Sequence, residues 1–465
     1  MKIDFEHLGG IDKGSIELND FTIFCGKNNS GKTYAMYSIY GLLSKRYNIK
    51  FDFVQSIFNK LKTLEDYESL DLSEIIYENR DEIVNGIEKG FTEYLPELFG
   101  VSNELFLKTK IKINFSLYTQ KEIKKSIEND GRMVIAGIIF NNGKVRLPSS
   151  DEQEAVKKVK GFELYSIENE LSTKYNIFQS ILSERLASIL FFNTYQFQDQ
   201  GITLLPSERD GVNLFFRELF SIRNLLLQQS QNDSVNPMFF LKDIVKARYA
   251  DPIKDYLQYL SLIGSTKKGI SDYQEYAQII QKNVLGGKYE VDDFGNVLFM
   301  PSESKNKLPL HFTSSTVKSL FGLVFYLKHL AKEGDYLMID EPELNLHPDN
   351  QRQVARILAQ LVNAGLKVIV STHSDYFVRE LNNLIMLKKG FSGAIELQKE
   401  YGYQENELLD DKCISAYLFD NKTITLMDLD DEGIIVDTFD KVINELNQSS
   451  NKIYFAMQDA KESSD

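Results

Sequence analysis

The pattern of apolar and polar residues predicts a chain with strands near its amino terminus and in its final third, and a mostly helical middle. Residues 2–6 and 15–18 alternate in polarity, residues 21–25 form a short apolar strand, and residues 35–43 place apolar side chains at helical spacing. Further helices are expected at 45–100, 151–192 and 213–282, and further strands at 108–118, 132–147 and 202–205. The hairpin-turn sequence Asn141-Asn142-Gly143 interrupts the strand signal at 132–147.

The final third of the chain alternates strands with helices. The expected strands lie at 289–291, 297–300, 336–339, 367–370 and 384–387, and the expected helices at 316–332 and after Pro348. The last three strands and the helices between them form a βαβαβ series, which implies a parallel sheet with right-handed crossovers. A β-hairpin of 423–427 and 433–436 and a short helix containing Phe439 and Leu446 should follow.

Composition and charge narrow the class of protein. A length of 465 residues favours two or three sub-domains. The net charge of -14 argues against a protein that coats DNA by counterion release, and it leaves room for a local basic stripe. Cys25 and Cys413 are the only cysteines, which fits a reducing compartment. No apolar run reaches the roughly 20 residues that cross a bilayer, and no signal-peptide core follows Met1. We therefore expect a cytoplasmic protein that does not contact membranes.

A glycine-rich turn between the strand at 21–25 and the next helix carries a specific motif. Residues 26–33 match G-x-x-x-x-G-K-[ST], a phosphate-binding loop, in the strand-to-helix context that the motif requires. Glycines let the backbone wrap around phosphates, and the helix N-terminus offers unpaired N–H groups to an anion. The nucleotide-binding candidates are Gly26, Asn28, Asn29, Ser30, Gly31, Lys32 and Thr33. Lys32 would reach the β- and γ-phosphates and Thr33 would hold Mg²⁺, whereas the alternative is an incidental glycine turn.

Two acidic residues and a histidine follow the predicted parallel strands downstream. Asp340 and Glu341 end an apolar strand, where Asp340 would bind Mg²⁺ and Glu341 would orient or deprotonate the attacking water. His373 ends the next strand and can donate to the γ-phosphate. Taken singly, the acidic pair fits a helix cap and the histidine fits a turn. The predicted catalytic residues are Glu341, His373 and Lys32, and the predicted metal ligands are Thr33 and Asp340.

Ser314 and Ser315 precede the apolar helix at 316–332. Hydroxyl groups at a helix N-terminus are typical of an N-cap. They also fit an anion site that is presented to a nucleotide on a neighbouring subunit. Sequence periodicity does not distinguish these two alternatives.

In this order, the motifs resemble those of the ABC-type ATPase heads of the SMC, RecF and OLD group, over about 1–45, 200–211 and 285–445. The strings D-E-P-E-L-N-L-H-P at 340–348 and L-P-S-E-R at 205–209 look like the AAA15-like branch. The resemblance implies ATP and Mg²⁺ as cofactors. It also implies a head-to-head homodimer or larger homo-oligomer, in which Ser314 and Ser315 complete the nucleotide site of the partner.

Other motif positions follow from the same resemblance. Thr316 and Val317 depart from the glycine-containing part of the usual L-S-G-G-Q signature. Asn345 and His347 fall at the D-loop, which is expected at the dimer seam, and 206–209 is the candidate Q-loop region. The implied fold is an α/β ABC-type ATPase head, with a P-loop parallel sheet, an antiparallel β lobe and a helical insertion lobe. The expected domains are the first part of the head with the P-loop at 1–45, a largely helical insertion with some head strands at 46–200, a head strand at 201–211, a helical insertion at 212–285, and the rest of the head with the signature, Walker B and H-loop at 286–465.

The chain looks most like the ATPase subunit of a PARIS-type phage-defence system, and a Septu-type ATPase is the near alternative. That likeness implies a sensor, switch and scaffold subunit of an antiviral complex. Its expected partners are a separate nuclease effector, of TOPRIM or HNH type, and a phage-encoded trigger protein. The alternative function is a DNA-repair or recombination ATPase of the RecF, SMC or OLD type that clamps DNA.

Two further patterns bear on nucleic acids. Asp428-Leu429-Asp430, with Glu396 upstream, resembles the acidic set of a TOPRIM nuclease, but the hairpin expected at 423–436 gives these residues a structural explanation. A basic stretch could touch nucleic acid or form a solvated face of a strand and a helix. Its residues are Lys108, Lys110, Lys112, Lys121, Lys124 and Lys125.

Overall fold

The computed structural model describes residues 1–44, 51–114, 133–149, 179, 201–216, 249–264, 269–435 and 437–462, except for 52, 66–67, 136–137, 142–143, 147–148, 293–294 and 305. The helix predicted at 151–192 therefore lies almost wholly outside the described residues. The chain divides into two compact units. The first comprises Met1–Glu17, Tyr34–Ile202 and Asn236–Asp255, and the second comprises Leu18–Thr33, Thr203–Val235 and Tyr256–Asp465.

Helices and strands alternate along the described chain. The helices are α1 Lys32–Ser44, α2 Phe53–Thr63, α3 Leu72–Glu78, α4 Arg80–Phe99, α5 Asp251–Ser261, α6 Gln274–Ile279, α7 Ser315–His329, α8 Pro348–Asn363, α9 Asp375–Lys389, α10 Ala394–Tyr401 and α11 Asp437–Glu462, with a further helical segment at 209–216. The strands are β1 Lys2–Leu8, β2 Ile11–Glu17, β3 Phe21–Gly26, β4 Leu70–Asp71, β5 Lys110–Asn114, β6 Met133–Ile135, β7 Ile138–Asn141, β8 Lys144–Arg146, β9 Ile202–Leu205, β10 Gly287–Val291, β11 Val297–Pro301, β12 Leu308–Pro309, β13 Tyr336–Asp340, β14 Lys367–Thr372, β15 Ile414–Asp420, β16 Thr423–Leu426, β17 Leu429–Asp430 and β18 Gly433–Ile434.

The first unit contains an antiparallel sheet in the order β5-β1-β2. Alternate residues of β1, such as Ile3 and Phe5, are buried opposite Ile113 and Ile111 of β5, so one sheet face is apolar. A second sheet has the order β4-β8-β7-β6. Its strands β7 and β8 are antiparallel and pair Asn141 with Lys144, and residues 142–143 of the predicted turn lie outside the described residues.

The lysine-rich stretch at 108–125 belongs to this unit, and the structure describes its first three lysines. Lys108, Lys110 and Lys112 have exposed side chains, and Lys110 lies 3.7 Å from Glu6. The remaining lysines of the stretch, at 121, 124 and 125, lie outside the described residues. The three described lysines are exposed, as both explanations of the basic stretch require.

The second unit is built on a mostly parallel sheet in the order β16-β15-β3-β14-β13-β9. β3 is parallel to both β14 and β15, and β14 is parallel to β13. The register pairs Asp340 with Ser371 and Thr372 with Cys25, so these strands end at the same edge. In parallel α/β sheets, ligands bind beside the carboxyl ends of the strands. The candidate residues at 26–33, 340–341 and 373 therefore share one edge.

The strand predicted at 384–387 is wrong, because these residues lie within α9. Ser374 caps that helix, and its buried side chains recur at helical spacing, at Phe377, Val378, Leu381, Leu384 and Ile385. A run of four apolar residues fits either a buried strand or a buried helix, so periodicity over a longer window was needed. The third parallel partner in this part of the sheet is instead β15.

Two predictions for the last described segment also need correction. The strand at 423–426 pairs with β15, and the hairpin around residues 431–432 is the shorter pair β17–β18. The terminal helix, which we expected to be short, is α11 with 26 residues. Its apolar residues Leu446, Ile453 and Phe455 are exposed. A pattern of buried apolar positions therefore does not show where this helix ends. None of the described helices is both long and apolar enough to span a membrane.

Candidate functional site

The phosphate-loop candidate follows β3, and its residues up to Thr33 belong to the second unit. Gly26 and Gly31 have φ angles of 147° and 104°, which residues with a Cβ rarely adopt, so glycines shape the turn. The Lys32 ammonium donates to the main-chain carbonyls of Gly26 and Lys27, at 2.8 and 2.9 Å. Burial lowers the pKa of Lys32, and the charges of Asp340 and Glu341 oppose that effect. The lysine therefore lies across the loop that the motif predicts.

Thr33 and Asp340 meet although 307 positions separate them in the sequence. The Thr33 hydroxyl donates to Asp340 Oδ2 at 3.1 Å, and the Ser371 hydroxyl donates to Asp340 Oδ1. Burial raises the pKa of Asp340, while the hydrogen bonds from Ser371 and Thr33 favour its ionised form. A hydroxyl oxygen and a carboxylate oxygen this close together are ligands of the type that Mg²⁺ binds beside nucleotide phosphates. The residues present therefore fit the predicted metal.

Glu341 has a strained backbone and an accessible side chain. Its φ is 55°, an unusual value for a residue other than glycine. Its amide N–H lies 3.1 Å from the Ser371 carbonyl oxygen and 3.2 Å from the Ser371 hydroxyl oxygen. Its side chain is 25% exposed, and Oε1 lies 3.7 Å from Nδ1 of His373. The structure thus brings the predicted water-orienting carboxylate and the predicted phosphate-sensing histidine together.

Sequence reasoning missed the role of Glu343. Its Oε1 accepts hydrogen bonds from the Thr372 hydroxyl at 2.8 Å and from the His373 amide at 2.9 Å, and it lies 3.6 Å from His373 Nδ1. The carboxyl group is almost fully buried, and burial raises its pKa. Glu343 therefore holds the segment that carries His373. The string D-E-P-E was visible in the sequence, but nothing in it indicates which strand end its second glutamate contacts.

Ser314 and Ser315 lie at the start of α7, with both residues exposed. The Ser314 hydroxyl accepts from the Val317 amide at 3.3 Å, so the N-cap explanation is realised in the single chain. The Thr316 hydroxyl donates to the carbonyl of Asn345 at 3.1 Å. The signature and D-loop candidates are therefore neighbours on the surface of this unit.

The candidate Q-loop region supplies an arginine rather than a glutamine. Arg209 is 2% exposed, and its guanidinium donates to the main-chain carbonyls of Asp340 and Glu341, each at 2.6 Å. Burial lowers the pKa of its guanidinium. The side chain of Arg209 thus contacts the backbone of the strand end that carries the acidic pair.

Several known proteins are similar to parts of this chain. Residues 1–378 match the AAA15 family, described as AAA ATPase domain. The chain is 22% identical over 285 residues to the energy-coupling factor transporter ATP-binding protein EcfA2 of Mycoplasma mobile, a match that covers 55% of this chain and 88% of that protein. It is 28% identical over 169 residues to the Old nuclease of Escherichia phage P2, which covers 32% of this chain and 29% of that protein.

Solved structures also align with this chain. An SMC head domain from Thermotoga maritima aligns with 92% of this chain and 98% of that chain, at 8% identity and a TM-score of 0.30. A similarity this low carries no argument about fold or function. The order of the parallel strands in the second unit, with the phosphate loop after β3, and the antiparallel strands of the first unit confirm the predicted α/β ATPase head.

Proposed function

The chain belongs to the AAA ATPase domain family and is an ATPase, and we propose that it is the sensor, switch and scaffold subunit of an antiviral complex that controls a separate nuclease. One observation carries the catalytic part of this proposal. The ends of three parallel strands bring Lys32, Thr33, the 340–341 pair and His373 to one edge of the sheet. The Thr33 hydroxyl lies 3.1 Å from the Asp340 carboxylate, so the phosphate loop and the acidic pair are in direct contact.

Each residue at this edge has a role that its position supports. Lys32 would contact the β- and γ-phosphates of ATP, and the amides of the 26–33 loop would surround the same anion. Thr33 and Asp340 would hold Mg²⁺, which neutralises phosphate charge when bound. Glu341 would accept a hydrogen bond from the attacking water, and His373 would contact the γ-phosphate. We infer no other chemistry, because phosphoryl transfer to water depends mainly on positioning and electrostatic stabilisation.

We infer that a second copy of the chain completes this site. Ser314 and Ser315 are exposed, and so is the neighbouring Phe312, whose side chain is 75% accessible. These exposed side chains are accessible to a second copy of the chain. In such a homodimer, α7 of one copy would point its first turn at the nucleotide of the other. ATP would then favour the closed dimer, and hydrolysis would release it.

The defence role rests on likeness rather than on site geometry. The length of the chain, a helical insertion too short for a long coiled coil and the serine-rich signature resemble PARIS-type ATPase subunits. The phage P2 protein with which the chain shares 28% identity over 169 residues is named a nuclease. The sequence Asp428-Leu429-Asp430 forms part of the β17–β18 hairpin, where Asp430 accepts from the amide of Glu432. A turn of this kind supports a structural role for these acids, and we therefore propose that the nuclease is a separate subunit, of TOPRIM or HNH type, released by a phage-encoded trigger.

The test is a phage challenge of cells that express this chain with the product of its neighbouring gene. We expect protection that Lys32→Ala abolishes, because the loop then lacks its phosphate-binding cation. The matched control is Lys27→Ala, which removes an exposed lysine of the same loop. Mass measurement of the purified proteins should show a complex of the two gene products. Protection that survives Lys32→Ala would contradict an ATP-driven switch, and ATP-dependent retention of circular DNA without a protein partner would favour a DNA-clamping ATPase instead.

A further inference from the structure

Arg209 lies four residues after the end of β9, at the start of the helical segment at 209–216. Its Nη1 donates to the carbonyls of Pro206 at 3.1 Å and Asp340 at 2.6 Å, and its Nη2 donates to the carbonyl of Glu341 at 2.6 Å. One side chain therefore contacts two consecutive main-chain carbonyls that follow it by more than 130 residues. A buried guanidinium is costly unless its donors are satisfied, and here three carbonyl oxygens accept from it.

These contacts act on a strained part of the backbone at the site, the residue Glu341. A residue with a Cβ and a φ near 55° carries a conformational cost, and it persists only where the surroundings hold it in place. The N–H of Glu341 is held by Ser371, and its carbonyl is held by Arg209. With both backbone groups fixed, the direction in which the Glu341 side chain leaves the chain is fixed as well.

The helical segment that carries Arg209 is itself held in two places. The Asn213 amide donates to the carbonyl of Lys318 at 2.7 Å, and the Tyr256 hydroxyl donates to the side-chain oxygen of Asn213 at 2.7 Å. One residue after the arginine, Asp210 accepts from the side chain of Asn345 at 2.6 Å. Arg209 therefore lies on a helical segment that hydrogen bonds hold in place, and the next residue, Asp210, contacts Asn345 of the D-loop candidate.

We propose that Arg209 is a positioning residue for ATP hydrolysis, which holds the main chain of Asp340 and Glu341 so that the Glu341 carboxylate faces the attacking water. The inference rests on the proposed role of Glu341. It assigns Arg209 no contact with the nucleotide. It therefore separates turnover from binding: loss of the arginine slows hydrolysis and leaves the phosphate loop intact.

The experiment is a double-mutant cycle of Arg209→Lys and Glu341→Gln, measured by single-turnover hydrolysis of labelled Mg·ATP with enzyme in excess. Lysine keeps the charge but loses the planar fork that reaches two carbonyls. We expect Arg209→Lys to slow hydrolysis about 10- to 100-fold, because a misplacement of about 1 Å is enough for such a loss, with ATP affinity within about twofold of the parent. In the Glu341→Gln background, Arg209→Lys should cause no further loss, since residues that act as a unit are not additive.

Arg356→Lys is the matched control. Arg356 lies on α8 and is also buried, and its guanidinium bonds Glu380 and stacks on Tyr403, neither of which has a proposed role in the site. This control should lower the thermal midpoint and leave hydrolysis per folded molecule unchanged. If Arg209→Lys does not fold, Arg209→Gln carries the same cycle, because a neutral amide still donates to one carbonyl without a buried charge.

The outcomes separate the inference from the proposed function. Unchanged hydrolysis in Arg209→Lys, or a loss that adds fully to that of Glu341→Gln, would overturn the positioning role. A parallel loss of ATP affinity would also overturn it. Unchanged hydrolysis in Glu341→Gln alone would instead remove Glu341 as the water-orienting group, and with it the proposed function of the site.

Discussion

The turn at the end of β3 gives the sharpest test of how the phosphate loop is built, through Gly26→Ala. Gly26 has a φ of 147° and pairs in parallel register with Phe419 of β15. A Cβ at this position would lie 2.4 Å from the Phe419 carbonyl oxygen and 3.1 Å from the Ser30 hydroxyl oxygen. A contact to main-chain oxygen cannot be relieved by a side-chain rotation, so either β15 or the loop has to move.

The magnitude follows from two costs. A φ that is nearly restricted to glycine costs about 1–3 kcal/mol for another residue, and forcing an extra methyl group into a packed site costs about 1–3 kcal/mol. We expect Gly26→Ala to lower the free energy of unfolding by about 3 kcal/mol, measured by chemical denaturation. Displaced loop amides lose charge-assisted hydrogen bonds to phosphate, each worth about 1.5–3 kcal/mol, so the dissociation constant for ATP should rise at least about tenfold.

Gly10→Ala is the matched control, because the φ of Gly10 lies outside the left-handed region and no atom lies within 4 Å of the position that a Cβ would take there. Its effect on unfolding should stay within about 0.5 kcal/mol, as for most surface substitutions. The reasoning would be refuted if Gly26→Ala matched this control in both stability and ATP affinity.

Two further predictions concern the dimer surface and the packing behind the site. Ser315→Arg adds a long side chain to an exposed position of the proposed seam, so ATP-dependent dimerisation should be lost in sedimentation while the monomer keeps its ATP affinity. Persistent dimers would argue against the composite site. Glu380→Ala removes the buried carboxylate that Arg352 and Arg356 share, and it should lower the free energy of unfolding by about 3 kcal/mol, because the buried Arg356 guanidinium then keeps only the more distant carboxylate of Glu407, at 4.0 Å. Denaturation that shows a loss below about 1 kcal/mol would contradict that expectation.

The sequence predicted the parts of the site that are continuous in the chain. The 26–33 loop, the 340–341 pair and His373 each end an apolar strand, and parallel strands bring their ends to one edge. The same logic failed for 384–387, where four apolar residues fit a helix as well as a strand. It also missed β15 as the neighbour of β3, because strand order depends on long-range packing that no local pattern contains.

The groups that support the catalytic residues were harder to predict. Glu343 and Arg209 form hydrogen bonds to main-chain groups. Because nearly every residue has a main-chain amide and carbonyl, the sequence does not indicate which residue provides such a partner. The only signals were positional, namely a second glutamate in D-E-P-E and an arginine four residues after the end of β9 at Leu205. Both positions lie in strings that carry the family resemblance, but only their contacts in the structure indicate a physical role.

The most direct test of the central claim measures ATP binding and phosphate release by the Glu341→Gln variant. Glu432→Gln, which changes an exposed carboxylate in a turn, is the control. If the strand ends form one hydrolytic site, Glu341→Gln should bind Mg·ATP about as well as the parent and release phosphate roughly 100-fold or more slowly, the usual size of a lost general base. The control should match the parent in both measurements. Equal phosphate release from the two variants would contradict the claim that these residues form the site of hydrolysis.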